Sequence, residues 1–255
     1  MEHYTLGYDA SALAFVSRRT LESHGAFFIG HLRPGMQVLD VGCGPGSITV
    51  GIATRVGNGR VIGVDMSESQ VRLATQTAVQ QGASNAAFQT GNAYDLPFGE
   101  AQFDALFSHA LIEHLKEPVR AMRECLRVLK PGGVMGVATP DWSGFLFGPT
   151  SPALDAAVKA FEALQVGNGG DVNVGRKLSQ IAVDAGFESV TQRAHYENFE
   201  PVSIITDLLA AKLEGAGQPE HAQTLRAWEC TPHAMFAEAW VACVASKPRS
   251  QSDSG

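Results

Sequence analysis

The stretch Val38-Leu39-Asp40-Val41-Gly42-Cys43-Gly44-Pro45-Gly46 constrains this chain more than any other, because it sets three glycines at alternate positions directly after a short apolar run. Residues 37–41 read as a strand, and Ile48, Ile52 and Val56 recur at i, i+4 and i+8, which reads as the helix that follows. Glycines at such a junction let the backbone turn tightly and let a ligand approach without a Cβ in the way. The helix N-terminus offers its free amide groups to polar ligand atoms. Asp65 stands at the end of the next predicted strand, residues 60–64, where a carboxylate can accept both hydroxyl protons of a ribose.

The spacing also separates nucleotide types. The dinucleotide fingerprint G-x-G-x-x-G puts its third glycine one residue later and a pyrophosphate on the helix terminus. Here Asp40 lies just upstream of Gly42, Gly44 and Gly46, and Pro45 sits inside the loop. This pattern disfavours a nicotinamide or flavin dinucleotide.

Strand and helix patterns alternate beyond the loop. Ser67 with Gln70 suggests a capping box for a helix carrying Val71, Ala74 and Ala78. Residues 86–90 and 103–108 read as strands. Val119, Met122, Leu126 and Leu129 mark an amphipathic helix that Lys130-Pro131-Gly132-Gly133 closes, and residues 134–138 form the next strand. This alternation predicts an α/β fold with a parallel sheet and helices on both faces, and ligands at the carboxyl ends of the strands. Residues 1–33 read as an N-terminal helical cap. After Pro140 the pattern changes to helices near 154–164, 177–185, 205–213 and 222–228, with strands near 189–199 and 236–245. Residues 141–175 and 200–232 are expected to be lid or substrate-binding insertions in a single domain spanning 1–246, with a disordered tail at 247–255.

Composition narrows the function. A net charge of −7, without a compensating basic stripe, argues against nucleic acid and an anionic membrane surface as partners. The four cysteines are widely spaced, and no zinc or redox pair is visible. No signal peptide or long apolar span is visible either, so a cytoplasmic location is expected.

At this point a family resemblance emerges. Asp40-Val-Gly42-Cys-Gly44-Pro-Gly46, Val64-Asp65-Met66-Ser67, Gly91-Asn92-Ala93-Tyr-Asp95-Leu-Pro97-Phe98, Phe103-Asp104 and Leu129-Lys-Pro131-Gly132-Gly133 resemble, in order and spacing, the motifs of class I S-adenosylmethionine-dependent methyltransferases over residues 30–140. The resemblance implies a three-layer Rossmann-like fold, with a seven-stranded sheet of order 3-2-1-4-5-7-6 and strand 7 antiparallel. It implies S-adenosyl-L-methionine as cofactor, S-adenosyl-L-homocysteine as product, and a small-molecule methyl acceptor, in a monomer or homodimer.

Carried over by position, the resemblance puts Asp40, Gly42, Gly44 and Gly46 beneath the methionine and ribose, Asp65 on the ribose hydroxyls and Met66 on the adenine. Asn92 and Ala93 then hold the adenine edge, with the Asn92 carbonyl accepting from the adenine amino group where the family commonly has aspartate. Ser108 with His109 lines the methionyl side, and Tyr4, with Tyr8, either closes over the cofactor or anchors the first helix.

Methyl transfer needs a base only when the accepting atom is protonated. His109, Glu113 and His114, after the fourth strand, are the candidates, and histidine suits proton transfer near neutrality. Trp142, Phe145 and Phe147 suit an apolar substrate wall. Glu113-His114 lacks a second pair at ligand spacing, so no metal site is expected. Ser108-His109-Ala110-Leu111 stands where amino-methylating enzymes of DNA and protein glutamine have Asn-Pro-Pro-Tyr or Asp-Pro-Pro-Tyr. No Pro-Cys nucleophile marks cytosine chemistry. A small organic acceptor is the reading these absences leave. Enzymes of the same fold that use the sulfonium without methyl transfer, and a cofactor-binding protein without turnover, are the alternatives.

Overall fold

The computed structural model of the chain describes residues 4–249. Its centre is a sheet built from β1 (Gln37–Val41), β2 (Arg60–Asp65), β3 (Ala86–Thr90), β4 (Phe103–His109), β5 (Leu129–Pro140), β6 (Leu146–Gly148), β7 (Glu188–Asn198) and β8 (Met235–Ser246). The strand order is β3-β2-β1-β4-β5-β8-β6, and β7 pairs with β8. β1 to β5 run parallel, whereas β8 is antiparallel to β5, β6 and β7. Seven of these strands follow the order expected from the sequence, with β7 and β8 as its sixth and seventh. The eighth, β6, was not foreseen, since three residues between Phe145 and Pro149 are too few to show any periodicity.

The helices are α1 (Ala10–Ser17), α2 (Leu21–His24), α3 (Ala26–Ile29), α4 (Ser47–Val56), α5 (Glu68–Gln80), α6 (Pro118–Val128), α7 (Pro152–Gly167), α8 (Leu178–Ala185), α9 (Ser203–Gly215) and α10 (Pro219–Glu229). Residues 10–29 therefore form three short helices, where the sequence suggested one irregular stripe. Asp9 caps α1 by accepting from the Ala12 amide, and Thr20 with Ser23 closes a capping box on α2. At α5 only half of the predicted box forms: Ser67 accepts from the Gln70 amide, while the Gln70 side chain is buried at the wall of the central cavity.

Three cores hold the layers. Leu39, Leu106 and Val137 face Met122 and Val128 of α6 and Leu178 of α8. On the other face Val38, Val61 and Phe107 meet Leu21, Phe28, Ile52 and Val56. Phe28 lies so close to β5 that a Cβ on Gly136 would sit 2.3 Å from its ring. Truncating a ring packed this way typically costs about 3–5 kcal/mol. The third core is separate: α1, α7, α9 and α10 gather Phe15, Trp142, Phe161, Phe199, Leu208, Leu209 and Trp228 beyond the carboxyl ends of the strands.

Two boundaries differ from the sequence reading. Lys130-Pro131-Gly132-Gly133 belongs to β5, but it bulges, and the ladder jumps from Phe103–Leu129 to Ala105–Val134. Lys247, expected in the tail, is held in place: its amide donates to the Gly133 carbonyl, and its Nζ lies 2.8 Å from the Leu129 carbonyl. Residues 250–255 of that expected tail lie outside the described residues.

Candidate active site

Gly42, Gly44 and Gly46 all take positive φ, between 51° and 78°, so the loop after β1 is a left-handed turn that L side chains rarely adopt. Their surroundings divide the labour. A Cβ on Gly46 would lie 2.9 Å from Ala74 of α5, so this glycine allows helix packing. A Cβ on Gly44 would meet nothing nearer than Gln70 Oε1 at 3.9 Å, because this glycine faces open space. That space is a cavity of about 200 Å3 walled by the loop, Asp65, Met66, Asn92, Ala93, His109 and Tyr4.

Asp65 is fixed from both sides. Its Oδ2 accepts from the Gly44 amide at 3.0 Å and its Oδ1 from the Ser67 amide at 2.9 Å. Burial pushes its carboxyl above the usual range, and those two amides oppose the rise. The remaining lone pairs are left for hydroxyl donors. Asp40 also lines the cavity. Its Oδ2 accepts from the Thr49 hydroxyl at 2.6 Å, and burial raises its pKa to about 7.

At the cavity mouth Met66 is largely exposed, and the N-terminal segment crosses over it. Tyr4 sets its ring edge-on to His114, with centroids 4.8 Å apart, and stacks at a tilt with Tyr8. Thr5 accepts from Asn168 at the end of α7, and Asp9 pairs with Lys212 of α9, so the segment is tied to the helical layer. Asn92 closes an Asx turn: its Oδ1 accepts from the Tyr94 amide at 2.9 Å.

The end of β4 and the residues after it differ in one respect from the sequence reading. Ser108 is buried and donates its hydroxyl to the Val41 carbonyl at 2.8 Å, tying β4 to β1, and it does not line the cavity. Ala110, at φ 55°, turns the chain sharply so that His109 and His114 both reach the wall. Burial, reinforced by Arg19, holds His109 well below its ordinary pKa and lowers His114 to about 3. His109 packs instead on Trp240, with centroids 4.4 Å apart. Burial raises Glu113 to about 7, while the Thr139 hydroxyl donates to its Oε2 at 2.8 Å. Its Oε1 lies 3.6 Å from His114 Nε2.

Glu113 faces a second, smaller space of about 30 Å3 under the third core, lined by Trp142, Phe161, Leu208, Leu209 and Glu238. Arg19, Ala110 and His114 line both spaces. Phe145 and Phe147, expected on the substrate wall, pack instead against Phe236. His195 is exposed on β7. Among the described residues no group of three or more His, Cys, Asp or Glu could hold a metal ion, and no helix is long and apolar enough to cross a membrane.

Sequence reasoning missed Arg19 and Glu238. Arg18-Arg19 is a short cationic pair in the sequence, and Arg19 is only 7% exposed. For Glu238, a carboxylate within the otherwise apolar run at 235–245 of a central strand was the available signal.

Residues 32–185, more than half of the chain, match the family model of a methyltransferase domain. The chain belongs to the class I S-adenosylmethionine-dependent methyltransferase family. An uncharacterized methyltransferase of Schizosaccharomyces pombe is 31% identical to this methyltransferase domain over 191 residues, which is 72% of this chain and 68% of that protein. The chain spans about half the length of other curated relatives that it matches. The YcgJ protein of Bacillus subtilis shares the fold, with a TM-score of 0.67 at 19% identity over 88% of this chain and 98% of that one. The cyclase SpnF superposes with a TM-score of 0.58 at 25% identity, over 88% of this methyltransferase chain and 80% of that one. The cofactor of the family is S-adenosyl-L-methionine. The open face of Gly44 beside a doubly held Asp65 fits an adenosyl group, whose ribose supplies two hydroxyl donors.

Proposed function

We propose that this protein methylates a small, largely apolar metabolite at an oxygen that carries a proton. The observation that carries this reading is the pair of adjoining cavities. One is walled by the glycine loop and Asp65, the other by aromatic and aliphatic side chains around a buried carboxyl, and three residues are common to both. S-adenosyl-L-methionine, when bound, supplies a methyl group already activated by its sulfonium.

The work left to the chain is alignment, which can lower a barrier by about 7–11 kcal/mol. In this reading Gly42, Gly44 and Asp65 fix the cofactor in the larger space, with Met66, Ala93 and the Asn92 amide at its adenine end and Tyr4 over its open side. Trp142, Phe161, Leu208 and Leu209 form an apolar wall for the reacting end of the acceptor only, since the smaller space has room for a few atoms. The acceptor hydroxyl gives its proton to Glu113 Oε1 as its oxygen takes the methyl, leaving Oε2 on the Thr139 hydroxyl. Residues 141–175 and 200–232 then act as the substrate-binding layer, and the acidic net charge fits a small acceptor better than nucleic acid.

A second reading is favoured by the likeness to SpnF: the site binds the cofactor while the smaller space rearranges a substrate without methyl transfer. Incubation with methyl-deuterated S-adenosyl-L-methionine and a fractionated metabolite extract separates the two. Methyl transfer gives a product heavier by a deuterated methyl and an equal amount of S-adenosyl-L-homocysteine. A product formed with no homocysteine release overturns it.

A further inference from the structure

Two glutamates stand opposite each other where β7 pairs with β8, and their surroundings differ. Glu197 collects three donors: Arg18 Nη2 on its Oε1 at 2.7 Å, and His24 Nε2 and Trp240 Nε1 on its Oε2, each at 3.1 Å. Glu238 is more deeply buried, yet its Oε2 is enclosed without a hydrogen-bond partner among the described residues. An unmet polar atom in such a place is a cost that a packed methionine or leucine would not carry. The side chain lines the smaller space, of about 30 Å3, together with Glu113 and the apolar wall of Trp142, Phe161, Leu208 and Leu209. A polar atom kept unmet beside a space open to a ligand is suited to meet that ligand.

Burial raises Glu238 to about 8, so at neutrality its carboxyl keeps a proton and is a donor. Arg19 and Arg18 favour its ionisation, whereas Glu197 and Glu113 oppose it. Glu113 has its Oε2 on the Thr139 hydroxyl, and its Oε1 is the atom assigned above to the substrate proton. The small space thus offers a ligand one group that takes a hydrogen and one that gives a hydrogen bond. Room for only a few atoms means that the two ligand oxygens meeting these carboxyls stand on neighbouring carbons. We propose that Glu238 selects the methyl acceptor by donating a hydrogen bond to a carbonyl or ether oxygen next to the hydroxyl that is methylated. The assignment rests on the smaller space being the acceptor site. A site built to donate to a substrate oxygen rejects the analogue lacking it, because its own buried donor then stays unmet.

The test measures binding and needs no turnover. Protein saturated with S-adenosyl-L-homocysteine is titrated with hydroxyacetone and with methallyl alcohol, which has a CH2 in place of the carbonyl oxygen, and each is followed by ligand-observed NMR. Glu113 meets the same hydroxyl in both, so the ratio of the two affinities reads the second oxygen alone. That ratio should favour hydroxyacetone about tenfold more in wild type than in Glu238→Met. Glu238→Gln, whose amide still donates, should keep most of the wild-type ratio. In wild type the ratio should fall as pH rises through about 8, where Glu238 loses the proton it donates, and it should stay level in Glu238→Gln. Free Glu238→Met should melt no lower than wild type, since a buried unmet carboxyl has been removed. Equal ratios in wild type and Glu238→Met, or a wild-type ratio that stays level across that pH range, overturn the proposal and leave the smaller space as the acceptor site. A wild-type protein that binds neither alcohol removes the acceptor-site reading itself, and this proposal with it.

Discussion

Residues 37–140 and residues 141–246 meet across one crevice, but they build their sides of it differently. The first half uses backbone: left-handed glycines, the Gly44 and Ser67 amides on Asp65, and an Asx turn at Asn92. The second half uses side-chain bulk, with Trp142 stacked at 4.4 Å on Phe145 and 5.0 Å on Phe161 beneath α9. A backbone site tolerates little variation, because each turn demands a residue type, and it suits a ligand that does not change between relatives. A packed aromatic layer can be recut by substitution without altering the fold, so it suits the ligand that does change.

This contrast can be broken from either side. The largest effect is expected at Gly44→Val, which forces a β-branched side chain to φ 51° and aims it into the larger cavity. S-adenosyl-L-homocysteine binding should vanish in calorimetry while circular dichroism keeps the native spectrum. Next comes Asp65→Ala, which leaves ribose hydroxyls without acceptors and should weaken the same binding about ten- to a hundredfold, with some loss of melting temperature because the Gly44 and Ser67 amides lose their acceptor. A third probe is Glu113→Gln. A protonated Glu113 cannot accept a proton, so wild-type kcat/KM should rise with pH through about 7 and level off above it. The glutamine variant should lose about tenfold at the plateau and show no such rise. The mildest is Phe161→Leu, which should raise the acceptor KM several-fold and leave S-adenosyl-L-homocysteine affinity unchanged. A shift in cofactor affinity there would blur the division between the two halves.

The same division explains what the sequence could reveal. Glycine spacing, the acid after β2 and the alternating strands are local signals, and the order β3-β2-β1-β4-β5-β8 with an antiparallel β8 agrees with the resemblance they carried. The segment from Ser108 to His114 was legible in place but not in its surroundings. What surrounds Ser108, His109, Glu113 and His114 is supplied by β1, β5 and Arg19, which lie far off in sequence. Arg19 and Arg18 cannot be told apart from their order in the chain. Only the fold gives one of them Glu197 and leaves the other facing the cavity. β6 and the broken N-terminal helices are set by tertiary packing over runs too short to carry a period.

Titration of the wild-type protein with S-adenosyl-L-homocysteine and, separately, with NAD tests most directly whether the glycine-lined cavity is an adenosyl-sulfonium site. The account predicts one equivalent of S-adenosyl-L-homocysteine bound, with the Asp65→Ala weakening described above, and no heat from NAD. Binding of NAD in preference would contradict it, since the loop would then be cradling a pyrophosphate.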